Sequence, residues 1–239
     1  MLSNTFTKDN LDLYLKELAK EFKRLNGKKM PAEIILIGGA AILANYNFRE
    51  STSDMDAIIY ASSAMKDAIH NVAEKYQLPN DWLNCDFMRT SSYSPNLIKV
   101  SKYYRTFSNV ISIRTISAEY LIAMKLKSAR KYKNDLSDIV GILKEHKENN
   151  QPITFESIDR AIIELYGSWS DIAEEAVAFI KEVTKEDINY DDYFLEKKKD
   201  ENENRLILLD FEDKYPKVLK NDNLENILQI IKKKNEKNS

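Results

Sequence analysis

Ile37-Gly38-Gly39 and Ser53-Asp54-Met55-Asp56 are the two stretches that decide how this chain is read, with fourteen residues between Gly39 and Asp54. Glu33 to Ile37 form an apolar run with the length of a strand buried on both faces. The double glycine breaks it, and Ala40 to Tyr46 then read as a helix. Asp54 leads into a second strand over residues 55–60. Carboxylates two residues apart on a strand point to the same face. They repel one another unless a cation sits between them. An oxygen-only ligand set suits Mg²⁺ or Mn²⁺, and Mg²⁺ fills its other positions with water and substrate phosphates. A double glycine lets a ligand approach the backbone closely. The helix that follows offers free N–H groups and a partial positive charge. Gly38 and Gly39 can thus cradle a triphosphate, with the Ser53 hydroxyl as a further donor. Taken singly, Asp-x-Asp is common on surface strands and Gly-Gly is usually a tight turn. Their conjunction across strand, turn, helix and strand makes a nucleotide site specific.

Outward from this centre the periodicity continues. Residues 7–26 predict a first helix, capped by Thr7 or Asp9, with Leu11, Leu13, Tyr14, Leu18, Phe22 and Leu25 at near-helical spacing. A helix is predicted over 64–76. Residues 80–98 read as loop, within which Asn84 to Met88 could extend onto a strand. Residues 109–114 alternate as a further strand. From 117 to 147 the pattern is helical and divided at Asn134-Asp135, and 152–183 read as two helices separated near Gly167. Residues 184–204 are dense in charge and read as a solvated linker, followed by a helix over 223–234 and a lysine-rich tail. The domain reading is therefore an α/β core over 1–116 with its N-terminal helix, a helical domain over 117–183, and a charged linker with a C-terminal helix over 184–239.

Composition narrows the function classes. The chain has 239 residues, 43% hydrophobic and 31% charged, which suits a packed core under a solvated surface. Its net charge of −2 argues against wholesale binding to nucleic acid, though a local basic patch stays open. No run approaches the length of a bilayer span. Residues 1–6 lack the pattern of a secretory leader. The lone Cys85 suits a reducing compartment, and a cytoplasmic location is expected. Two widely separated histidines, His70 and His146, make a Cys/His zinc site unlikely on composition grounds.

Gly38-Gly39 followed by Ser53-Asp54-Met55-Asp56 resembles the signature of the DNA polymerase β-like nucleotidyltransferase superfamily. A second segment extends the likeness. Glu119 to Leu126 with Lys125, then Arg130 and Asp135-Leu136-Ser137-Asp138, looks like the helical Lys…Arg…Asp-x-x-Asp motif of AbiE-type toxin nucleotidyltransferases. Up to about residue 170 the chain is similar to a bacterial branch of that group. The resemblance implies an α/β (α+β) fold, with a nucleotidyltransferase-type mixed sheet flanked by helices and a helical C-terminal region. It implies transfer of a nucleoside monophosphate from a nucleoside triphosphate to an RNA (such as a tRNA end) or protein hydroxyl, with Mg²⁺ as cofactor. A role as the toxin of a toxin–antitoxin or phage-defence system, with an antitoxin partner, is implied in the same way. The separation between Gly39 and Asp54 is longer than in typical members, so the intervening segment must be extended.

The superfamily's chemistry requires a third carboxylate on a neighbouring strand, and Asp86 is the candidate, with Asp81 behind it. A turn cap is the plainer account of Asp86. Asp54, Asp56 and Asp86 would hold the metals, and Asp86 would complete the base site. Lys125, on a mainly apolar helix, can lay its stem on the core and present its ammonium to phosphate. Asp138 would orient Lys125 or a neighbouring arginine. Arg130 and Lys131 would add phosphate contacts, and Arg49 and Arg114 are further candidates. Cys85 has no histidine base nearby in sequence, so thiol chemistry is not expected. Tyr103, Tyr104 and Phe107 suit base stacking or, more simply, core packing. Trp169 and Tyr166 suit either core or interface. The rival to an enzyme is a non-catalytic nucleotide-, RNA- or partner-binding module on the same fold. A third reading has Asp54 and Asp56 merely solvated.

Overall fold

The run expected to be buried on both faces is so: Ile34, Ile35, Leu36 and Ile37 have no exposed surface. The first three belong to β1 (Ala32–Leu36), and Ile37 leads from it into the next helix; β1 is the middle of a five-stranded sheet in a computed structural model that describes residues 5–27, 30–220 and 223–236. On one side β1 pairs antiparallel with β2 (Met55–Tyr60), which pairs parallel with the two-residue β3 (Leu83–Asn84). On the other it pairs parallel with β5 (Ile111–Ile116), whose outer neighbour is the antiparallel β4 (Ser101–Phe107). The sheet is therefore mixed, in the order β3-β2-β1-β5-β4. Helices α1 (Lys8–Asn26), α2 (Gly38–Asn45) and α3 (Ala64–Tyr76) flank it. The buried stripe of α1 is Leu11, Leu15, Leu18, Ala19 and Phe22, whereas Leu13 and Leu25 face outward.

A helical region follows. It comprises α4 (Leu97–Val100), set before β4, and then α5 (Ala118–Ser128), α6 (Asp135–Glu148), α7 (Phe155–Tyr166), α8 (Glu174–Val183), α9 (Tyr190–Lys214) and α10 (Leu224–Glu236). The break expected at Asn134-Asp135 separates α5 from α6. The break near Gly167 is a left-handed residue at φ +80°. Residues 1–4, which bear on the leader reading, and 237–239, at the end of the tail, lie outside the described residues.

Three segments differ from expectation. The strand read over 109–114 is the second arm of a hairpin, turned at Ser108 and Asn109, both at positive φ. Its first arm, β4, buries only Ser101 and Phe107, so it carries almost no alternation to read. Residues 80–98 hold β3, a 3₁₀ turn over Asp86–Arg89 and the start of α4. Most of the supposed linker over 184–204 belongs to α9, a continuous helix of 25 residues. Its buried seam is Glu201, Asn204 and Leu208, one face at spacings of three and four. Two of those three residues are polar, so an apolar stripe could not reveal it.

Candidate active site at the start of β2

The antiparallel pairing of β2 with β1 brings the two sequence stretches together. The Ile37 backbone N–H donates to the Asp56 carbonyl over 2.9 Å. Helix α2 starts on Gly38 itself, at φ +55°, and no side chain caps it. A methyl group on Gly38 would lie 3.6 Å from Asp56 Oδ2. The carboxylate therefore sits against the glycine turn, where a helix begins with uncapped N–H groups. Gly39 serves a different neighbour. A Cβ there would meet Thr52 Oγ1 at 2.4 Å and Arg49 Nη2 at 3.0 Å. The protein's own returning chain makes the close approach at this glycine.

Asp54 is exposed just ahead of the strand, and the Ser53 hydroxyl reaches toward its Oδ1 at 3.4 Å. Asp56 is partly buried and its pKa is pushed up to about 6. Burial is the largest cause and the like charge of Asp54 the next; Arg130 and Lys133 counteract them, and Asp86 adds a further small rise. Withdrawal from solvent, more than the balance of neighbouring charges, thus accounts for the rise. Asp86 stands in the 3₁₀ turn after β3. Its side chain is 76% exposed and 3.8 Å from Arg89, and its backbone N–H donates to Asn84 Oδ1 at 2.9 Å. Among the described residues, no three His, Cys, Asp or Glu side chains are gathered closely enough to hold a metal. The three aspartates are neighbours in charge without forming a three-ligand cluster.

The second motif folds into a buried ion network. Lys125, expected to present its ammonium to phosphate, is instead 8% exposed. Its Nζ lies 2.9 Å from Asp135 Oδ1 and 2.7 Å from Asp138 Oδ2. Burial alone would lower its pKa; the two carboxylates raise it above the ordinary lysine value. Asp138 also pairs with Arg49, so it contacts both cations. Asp135 grips Arg130 through Nε at 2.9 Å and Nη2 at 3.2 Å, and accepts from the Arg130 backbone N–H at 3.1 Å. Burial works against the Asp135 charge, but Lys125 and Arg130 hold it well below the usual carboxylate range. Arg130 keeps 41% of its side chain exposed, and its charge is felt at Asp56. The network thus backs the acidic edge with oriented positive charge.

The extended connection between Gly39 and Asp54 is pinned at several points. Glu145 of α6 accepts from the Asn47 N–H at 2.8 Å and the Phe48 N–H at 3.3 Å. Thr52 pairs backbone to backbone with Phe6. The Phe48 ring presses on α6 where residue 141 is glycine; a Cβ there would lie 2.5 Å from the ring. Residues from distant segments thus carry the geometry that the spacing by itself left open.

Sequence reasoning passed over three residues. Asp135 lies within the quoted motif, three positions before Asp138, and that helical spacing was its signal. Lys133 adjoins Arg130 in a short basic run. Glu201 had no local signal at all. It comes from α9, is 4% exposed, and accepts from the Leu136 N–H at 2.8 Å, the Ser137 N–H at 3.3 Å and the Ser137 hydroxyl at 2.5 Å. It thereby caps the N-terminus of α6. Burial pushes its pKa up to about 7 against the lowering effect of those bonds. Other candidates have structural partners. Arg114 bonds Ser101, Lys131 pairs with Glu175, and the Tyr104 hydroxyl bonds Asp12, while Tyr103 is exposed. Trp169 stacks on Phe155, and the Tyr166 hydroxyl bonds the Ser92 carbonyl. Burial raises the Cys85 thiol pKa, the opposite of thiolate activation.

No helix among the described residues is long and apolar enough to cross a membrane. No curated protein and no solved structure matches the chain significantly. One family profile does, over residues 14–144, a span that takes in the glycine turn, the paired aspartates and the ion network. On that match, which covers more than half of its length, the chain belongs to the family described as "Nucleotidyltransferase of unknown function (DUF6036)".

Proposed function

We propose that this nucleotidyltransferase moves a nucleoside monophosphate from a nucleoside triphosphate to a hydroxyl group on an RNA or protein acceptor. The observation that carries the reading is the contact between the Asp56 carboxylate and the Gly38 turn at the start of α2. It would set a metal-binding donor beside a phosphate-binding backbone. The site suits Mg²⁺, or Mn²⁺, because its donors are oxygens and Asp54 and Asp56 repel one another unless a cation sits between them. Asp54 and Asp56 would hold the ion, and two carboxylates suffice where phosphates complete the set. When bound, the metal would neutralise phosphate charge in an in-line displacement.

The protein's own residues would do the rest. Gly38, the backbone N–H of Gly39 and the Ser53 hydroxyl hold the triphosphate, while the α-carbon face of Gly39 is taken by Thr52 and Arg49. Arg130, oriented by Asp135, adds positive charge beside it. Lys125 and Asp138 act from behind, keeping Arg49 and Asp135 in place. The acceptor oxygen bonds to the α-phosphorus, the bond to the β-phosphate bridging oxygen breaks, and pyrophosphate leaves. The hydroxyl proton passes to Asp86. The polymerase β-like ancestry and the toxin role with an antitoxin partner follow from the motif resemblance alone.

A non-catalytic nucleotide-binding module is the second reading. The exposed Asp86 side chain and the lack of a three-ligand cluster among the described residues favour it. One experiment separates the two. ATP, GTP, CTP and UTP are titrated calorimetrically with and without Mg²⁺, beside the Asp54→Asn, Asp56→Asn double variant. Labelled nucleotide is followed in parallel onto total RNA and onto the protein. Metal-dependent binding and transfer, both lost in the variant, are expected. Binding without transfer would support the module. No binding by the unaltered protein would refute both.

A further inference from the structure

Helix α9 turns one face to α6 and leaves another over a groove. Leu195, Lys198, Lys199, Asn202 and Arg205 of α9 line this groove with Asn134. Its volume is about 350 Å³. Three of the six lining residues are cations, two are amides and none is a carboxylate, in a chain whose net charge is −2. The cations are exposed. Lys198 lies 5.6 Å over the Phe194 ring, and Arg205 bonds Asn202 at 2.6 Å. Lys199 has only a loose contact with Glu203 at 3.9 Å.

The groove is continuous with the site already described. Asn134 and Lys198 also line a smaller hollow, of about 130 Å³, whose walls include Arg49 and Asp138. Arg49 in turn packs on Gly39. The turn that ends in Asn134 carries Arg130 and Lys133, whose charges reach Asp56. Cations therefore recur from Arg49 beside the glycine turn through Lys198 to Arg205, interspersed with the carboxylates of Glu50 and Asp138 in the hollow and of Glu203 beside Lys199. From Lys198 to Arg205 the helix rises about 10 Å. A stretch of that length reaches successive phosphates of one strand, and its three cations can pair with at most three of them. A triphosphate held at the glycine turn would leave this stretch unused. The amides add the donors and acceptors that base or sugar edges require.

We propose that the α9 groove holds the phosphate backbone of a polynucleotide strand and leads its end toward Asp54 and Asp56. The assignment of that strand as acceptor rests on the nucleotidyl-transfer reading above; binding of the strand does not. Fluorescence anisotropy with a short labelled oligouridine, without nucleoside triphosphate, tests it on the full chain. The expected affinity falls with salt at a log–log slope of about −2, the value for three phosphate contacts on a single strand. Lys198→Gln, Lys199→Gln, Arg205→Gln should weaken binding at least about tenfold and flatten that slope, leaving Mg²⁺-dependent ATP binding intact. Lys198→Arg, Lys199→Arg, Arg205→Lys should restore binding, which separates charge from damage to the helix. The Asp54→Asn, Asp56→Asn variant should keep oligouridine and lose ATP. Unchanged oligouridine binding in the glutamine variant would overturn the proposal. So would loss of its ATP binding, which would make the groove a triphosphate site, or tighter binding of a polyglutamate peptide, which would make it an acidic-peptide site. If the unaltered protein binds oligouridine through these cations but never binds ATP, the groove stands and the nucleotidyl-transfer reading falls.

Discussion

Asp56 and Asp135 are both aspartates withdrawn from solvent, and their surroundings treat them in opposite ways. Asp135 is enclosed by Lys125 and Arg130, which hold its charge in place despite complete burial. Asp56 is withdrawn from solvent beside the like charge of Asp54, which Arg130 and Lys133 only partly offset, and its pKa rises to about 6. A buried carboxylate is tolerated when it is paired, and a site that keeps one unpaired holds an unmet demand for positive charge. Asp135 therefore keeps its charge through its partners, whereas Asp56 sits where a bound cation would stabilise its charge.

The sharpest way to break this contrast is to remove the balance. Asp135→Asn leaves Lys125 and Arg130 with one carboxylate fewer in a buried setting. It should cost about 3–5 kcal/mol of stability, read from the denaturant midpoint. A loss within error would show that water or rearrangement screens the network.

Glu201 lies between the two cases, buried with hydrogen bonds but no cation. Its folded pKa is raised from 4.5 to about 7, so the folded state keeps a proton that the unfolded chain releases. Stability should therefore fall as pH rises from about 4.5 to 7, by about 3 kcal/mol, and stay low above that window. Glu201→Gln should flatten that part of the stability–pH profile. An unchanged profile would show that the α6 cap is more solvated than its burial implies.

On the acidic edge the expectation reverses. Asp56→Asn removes an uncompensated charge, so stability at neutral pH should hold or rise by about 1 kcal/mol after allowing for screening at a partly exposed site. Mg²⁺-dependent nucleotide binding should nevertheless weaken by about 100-fold. A variant that lost stability and binding together would place Asp56 with Asp135 as a structural acid.

The smallest effect is one of pH on the unaltered protein. The raised pKa of Asp56 makes protons compete with the metal below about 6. Mg²⁺-dependent ATP affinity should fall about tenfold per pH unit there and level off above, as calorimetry across that range would show. A flat profile between pH 5 and 7 would remove Asp56 from the ligand set.

What could be read locally was read from local patterns. The buried run before Gly38 and the glycine break show directly in the residue order. So do the strand that follows Asp54 and the breaks before α6 and at Gly167. The places where reading failed are those where burial is polar. The edge strand β4 has almost no apolar face, and the seam of α9 rests on Glu201 and Asn204 as much as on Leu208. Hydrophobic periodicity reports only elements that bury apolar surface.

The sequence by itself determined that two aspartates two residues apart stand where a strand begins and that a glycine break opens a helix, because both are properties of neighbouring residues. Tertiary structure alone decided which charges would be balanced. Arg49 meets Asp138 across 89 positions, and Glu201 meets Ser137 across 64. Both pairings depend on how α6 packs against the connection after α2 and against α9. A charge's environment is set by what the fold brings near it, so the pKa of Asp56, the enclosure of Lys125 and the groove along α9 had to await the packed chain.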